Sequence, residues 1–119
     1  MSDELTIYHN PRCSKSKASL ELITSMKFKP NVKLYLKETI LYEELYNVLN
    51  KLCLKPRDLL RKSEKEYKIY NLENKDLNDA DIIKLMIDHP ILIERPIVVF
   101  GKLAVLGRPP ENILKLFKN

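Results

Sequence analysis

A cysteine that follows a β-favouring segment and opens a helix is the residue of this chain best placed for chemistry. Cys13 comes directly after Leu5-Thr6-Ile7-Tyr8-His9-Asn10-Pro11-Arg12 and directly before a helical stretch that begins near Ser14. Unpaired backbone N–H groups and the positive end of the helix dipole both favour thiolate over thiol at such a position. Arg12, Lys15 and Lys17 push the same way. Sites of this kind hold cysteine pKa values of roughly 3.5–7.5, against ~8.5 for the free side chain, and so supply a nucleophile near neutral pH. In Cys13-Ser14-Lys15-Ser16, a serine occupies the place of the second thiol of a two-cysteine redox motif. An adduct on Cys13 must then be resolved by an external thiol such as glutathione. Ser16 is suited either to donating a hydrogen bond to the thiolate or, with Ser14, to capping the helix. His9, four residues earlier, is suited to lowering the thiol pKa or to closing the turn.

Arg61, Arg95 and Arg108 stand in semi-apolar or rigid settings, after Leu59-Leu60, before Pro96 and before Pro109 respectively. Guanidinium groups grip oxyanions in a bidentate fork and keep their charge when partly buried. Three of them converging on a thiolate would hold a tetrahedral oxyanion for attack, although spacing alone does not bring them together. Cys53 falls on the apolar stripe of a helix and is expected to be buried and inert. His89, before Pro90, reads as a helix-end residue.

The elements that must position these groups follow from periodicity. Leu5 to Tyr8 forms a short strand ended by Asn10-Pro11, and the stretch from about Ser14 to Lys27 forms a helix. Val32-Lys33-Leu34-Tyr35-Leu36 alternates as a second strand, giving a right-handed βαβ unit. Leu45, Val48, Leu49, Leu52 and Cys53 mark an amphipathic helix from about Tyr42 to Leu54. Shorter helical stretches follow from Pro56 to Lys62 and from Glu64 to Leu72. A further helix, capped by Asn78 and Asp81, is stopped by Pro90. Ile97 to Phe100 and Leu103 to Leu106 flank Gly101-Lys102 as an antiparallel hairpin. Pro109 and Pro110 open a last helix bearing Ile113, Leu116 and Phe117.

With 119 residues, 45% hydrophobic and 31% charged, the chain is expected to be one α/β domain with a helical insertion at about 40–90. The net charge of +5 is dispersed, which argues against nucleic-acid binding, and two glycines leave no phosphate loop. No apolar stretch approaches the ~18 residues of a membrane span, and the acidic start lacks a secretory signal, so a cytoplasmic protein is expected. A monomer without a metal is the further expectation.

Four blocks carry a resemblance through nearly the whole chain. They are Thr6-Ile7-Tyr8-His9-Asn10-Pro11-Arg12-Cys13-Ser14-Lys15-Ser16, Leu59-Leu60-Arg61-Lys62, His89-Pro90-Ile91-Leu92-Ile93-Glu94-Arg95-Pro96-Ile97-Val98-Val99 and Gly107-Arg108-Pro109-Pro110-Glu111. In order and spacing they resemble the glutaredoxin-linked arsenate reductase family, and the shortness of the chain resembles its chromosomal branch. The resemblance implies a thioredoxin-like fold in which Cys13 attacks arsenate and Arg61, Arg95 and Arg108 enclose the anion. It further implies that His9 and Ser16 tune the thiolate and that Pro96 is a cis-proline facing it. Glutathione would then attack the adduct, glutaredoxin would remove the glutathione, and arsenite would leave, with no bound cofactor. Ser14, Lys15 and Lys17 depart from the small neutral residues and the arginine common in established members. Two alternatives stay open: a regulator of the related Spx type that contacts RNA polymerase, whose switch cysteine is replaced here by Ser16, and a general glutathione-dependent thiol oxidoreductase.

Overall fold

The structure is a computed structural model that describes residues 4–117. Strand β1 (Leu5–Tyr8) leads through a tight turn to helix α1 (Ser14–Ser25), which returns the chain to β2 (Asn31–Lys33). β1 and β2 pair in parallel, with Ile7 opposite Val32. After the helical middle of the chain, β3 (Ile97–Phe100) runs antiparallel to β1, with Ile7 opposite Val98, and β4 (Leu103–Leu106) folds back on β3. The sheet order is β2-β1-β3-β4, a mixed thioredoxin-like sheet in which the βαβ crossover and the hairpin meet along β1.

The chain divides into two compact units. One comprises the residues up to Glu38 together with those from Arg95 onward. Its core gathers Leu5 and Ile7 of β1, Ile23 of α1, Val98 of β3, and Ile113 and Leu116 of the closing 3-10 helix Pro110–Phe117. Leu5 and Ile7 share a sheet face because side chains alternate along a strand. Phe28, Phe100 and Phe117 close one side of this core, with Phe28 and Phe117 stacked at 4.8 Å between centroids. The other unit is Thr39–Glu94. In it α2 (Tyr42–Leu52) packs on α4 (Asp79–Asp88), with Leu45, Val48, Leu49, Ile82, Ile83 and Met86 buried. The short helix α3 (Lys65–Ile69) lies between them in sequence. Asn78 and Asp81 form the reciprocal cap of α4, at 2.8 and 3.1 Å, as the sequence spacing predicts. Among the described residues, no helix is long and apolar enough to cross a membrane.

Four sequence expectations change. The helical stretch expected from Pro56 to Lys62 is a 3-10 turn, Pro56–Leu59, and Leu60 leaves it to bridge Ile93. The second strand stops at Lys33 rather than Leu36, because Leu34 turns the chain: its N–H donates to Glu38 Oε2 at 2.7 Å and its carbonyl accepts from Lys37 and Glu38. The last helix is 3-10 rather than α. Cys53 is exposed, not buried. Helix α2 ends at Leu52, and Cys53 takes a left-handed conformation with φ 58° and ψ 38°, which swings it out of the apolar stripe its spacing implied.

Candidate active site

Sequence-local forces place Cys13. Asn10 ends the strand and folds over the next residues: its side-chain Oδ1 accepts from the Arg12 N–H at 3.0 Å and its carbonyl from the Cys13 N–H at 3.0 Å. This is the Asx turn that asparagine favours, and Asn10 itself is buried. Cys13 therefore arrives at the N-cap of α1 in an extended conformation, φ −97° and ψ 123°, and its carbonyl accepts the first helical bond from Lys17 at 2.9 Å. The side chain is half-buried.

Burial alone would raise the pKa of this thiol. Hydrogen bonds from the backbone N–H of Ser16, the Arg95 side chain and the backbone N–H of Lys15 outweigh it, and with the Arg95 charge they hold the thiol below its usual range. A second guanidinium closes in: Arg108 Nη1 lies 3.9 Å from Cys13 Sγ and donates to the Arg95 carbonyl at 3.1 Å. Arg95 and Arg108 thus meet at one sulfur although Arg108 is separated from Cys13 by 95 positions. Pro96 is buried after a cis Arg95–Pro96 bond, and its carbonyl accepts from Gly107 N–H at 2.9 Å. A second cis bond joins Arg108 to Pro109.

His9 and Ser16 form a buried pair beneath the loop. Their Nδ1 and Oγ atoms are 2.6 Å apart, and the serine oxygen also accepts from the Asn10 N–H at 3.0 Å. The Ser16 hydroxyl is committed to His9 and Asn10, so the part of Ser16 that reaches the sulfur is its backbone N–H. Burial, aided by the charge on Lys17, lowers the pKa of His9 and favours the neutral ring. No serine caps α1 through its side chain.

Arg61 belongs to the other unit. An antiparallel bridge between Leu60 and Ile93 sets its register, with the Arg61 N–H donating to Leu92 O at 2.7 Å and the Glu94 N–H to Leu59 O at 2.8 Å. The guanidinium is paired with Glu94 at 2.5 Å and Glu64 at 3.3 Å. Burial opposes its charge, but the two carboxylates outweigh burial and raise its pKa.

Sequence reasoning missed Asn10 and Gly107. Asn10 was visible only as a strand breaker, yet an asparagine two residues before Arg12 is itself an Asx-turn signal. Gly107 is required by a close approach: a Cβ there would lie 2.4 Å from Ser19 Oγ on α1 and 2.8 Å from Pro96 Cγ. No set of three or more His, Cys, Asp or Glu side chains among the described residues is arranged to hold a metal ion.

Known proteins share this fold and much of this sequence. Residues 8–116 match the profile of the ArsC family. An arsenate reductase of Haemophilus influenzae is 41% identical over 111 residues, covering 92% of this chain and 96% of that protein. One of Neisseria meningitidis serogroup A is 40% identical, over 92% and 95% of the two chains. The structure of an arsenate reductase from Vibrio cholerae superposes with a TM-score of 0.93 at 40% identity, over 97% of this chain and 98% of that one. With a half-buried cysteine at the mouth of α1, two arginines at its sulfur and this likeness along almost the full length, the chain belongs to the ArsC family.

Proposed function

We propose that this protein reduces arsenate to arsenite, with Cys13 as the nucleophile and glutathione and glutaredoxin as the sources of electrons. The observation that carries this reading is the single half-buried thiol held toward its thiolate form by backbone N–H groups and Arg95, with Arg108 beside it. Such a site offers a nucleophile and positive charge to the same small tetrahedral anion. The Cys13 thiolate attacks arsenic, forming an S–As bond as one arsenate oxygen leaves as water with protons from solvent. Arg95 and Arg108 neutralise the remaining oxygens. A glutathione thiol then attacks arsenic and displaces a second oxygen as water, and a glutaredoxin thiolate attacks the glutathione sulfur, breaking its bond to arsenic. The electron pair of that bond stays on arsenic, which passes from the +5 to the +3 state as the glutathione and glutaredoxin thiols become a mixed disulfide, and water then cleaves the Cys13 S–As bond, releasing arsenite and restoring the thiol. Ser16 in place of a second cysteine supports external resolution.

Family resemblance assigns Arg61 to the anion as well and makes His9 and Ser16 tuners of the thiolate, and we read the chain as a cytoplasmic monomer. The test is arsenite production by the purified protein with glutathione and glutaredoxin. Wild type should turn over, Cys13→Ser should lose on the order of 10⁴-fold or more, and Arg61→Ala should raise KM about tenfold or more. Turnover by Cys13→Ser at the wild-type rate contradicts the assignment. An inactive wild type that captures RNA polymerase favours the regulator, and one that reduces glutathione mixed disulfides but not arsenate favours the general oxidoreductase.

A further inference from the structure

Arg108 reaches the sulfur from a segment poor in hydrogen-bond donors. Between the end of β4 at Leu106 and the closing 3-10 helix, Pro109 and Pro110 contribute no N–H, and the Gly107 N–H is spent on the Pro96 carbonyl at 2.9 Å. The carbonyls of Leu106 and Arg108 instead share one side-chain amide: Asn112 Nδ2 donates to Leu106 O at 3.2 Å and to Arg108 O at 3.1 Å. An amide nitrogen carries two N–H bonds, and here each meets one carbonyl. Asn112 is itself fixed by its backbone N–H, which donates to Pro109 O at 3.0 Å. Arg108 is therefore held at both ends, its carbonyl by Asn112 and its guanidinium by the Arg95 carbonyl at 3.1 Å.

We propose that Asn112 is a positioning residue for anion binding, which sets where the Arg108 guanidinium stands relative to Cys13. A guanidinium aimed in advance loses less freedom when it meets an oxyanion, and this raises affinity without any new contact to the anion. The proposal rests on the reductase reading for its substrate but on this geometry for its mechanism. Aspartate is the informative replacement, since it keeps the shape while setting acceptor oxygens against two carbonyls.

Two measurements test it on wild type, Asn112→Ala, Asn112→Asp, Arg108→Ala and the Asn112→Ala/Arg108→Ala pair. In steady-state turnover, both Asn112 variants should raise KM for arsenate about five- to tenfold with a smaller change in kcat, and Asn112→Ala should add little once Arg108 is gone. Without arsenate, the pH midpoint of Cys13 alkylation should rise in Asn112→Ala and not rise further when the change is made on Arg108→Ala. Unmoved KM and midpoint, or effects that add in full to those of Arg108→Ala, overturn the role, because the amide would then serve only the fold. If wild type reduces no arsenate while the alkylation midpoints still behave as expected, the reaction reading falls and the positioning of Arg108 by Asn112 stands.

Discussion

The proposed reaction depends on the charge on one sulfur, and how that charge changes with pH follows from its neighbours. Burial favours the Cys13 thiol, while the N–H groups of Ser16 and Lys15 and the guanidinium of Arg95 favour the thiolate and prevail. A thiol whose folded pKa lies below its unfolded value contributes stability that is fully present above the unfolded value, ~8.5, and is lost as pH falls through the folded pKa. Arg95→Ala should therefore raise the midpoint of Cys13 alkylation, and should shrink the gain in stability on going from acidic to alkaline pH. Denaturant titrations across that pH range, beside alkylation rates, check both. A midpoint unchanged in Arg95→Ala would remove Arg95 from the causes and leave the backbone N–H groups and Arg108. The position of Cys13 was legible because it is local, at a strand end and a helix start. The convergence of Arg95 and Arg108 was not, because it is created by the β3–β4 hairpin and no spacing rule encodes it.

Among elements, the hairpin carries both arginines: Arg95 precedes β3 and Arg108 follows β4. Its fit against α1 depends on Gly107, where Ser19 Oγ and the Pro96 ring leave no room for a methyl group. Ser19 also donates to the Gly107 carbonyl at 3.4 Å. Gly107→Ala should cost about 1–3 kcal/mol through overpacking, seen as a lowered denaturation midpoint, and should reduce turnover by more than the lost stability accounts for. Wild-type stability in that variant would mean that α1 and the hairpin shift apart freely. Strand and helix periods placed β1, α1, β3 and β4 within a residue or two, since each buries one face against a common core. The periodicity failed at Cys53, where the helix ends and a left-handed residue breaks the register, and at Leu34, where a side-chain carboxylate captures the backbone of a turn.

At the scale of the molecule, the dispersed net charge of +5 draws anions of every kind and selects none, so the proposed reduction needs its discrimination from the cysteine and its arginines. The mixed sheet was readable from the order of its segments, because a βαβ crossover dictates a parallel pair and a two-residue turn an antiparallel one. The packing of the unit Thr39–Glu94 was less so: its helices were visible, but the Leu60–Ile93 bridge that seats Arg61 between Glu94 and Glu64 joins residues with no local signal. The most direct test of the central claim is peptide-resolved alkylation of the native protein across pH, with and without arsenate, at low salt where charge is least screened. Cys13 should react with a midpoint below the ~8.5 of free cysteine, and arsenate should protect it while leaving the labelling of the exposed Cys53 unchanged. A Cys13 that titrates at or above the free thiol, or that arsenate fails to shield, would contradict the account.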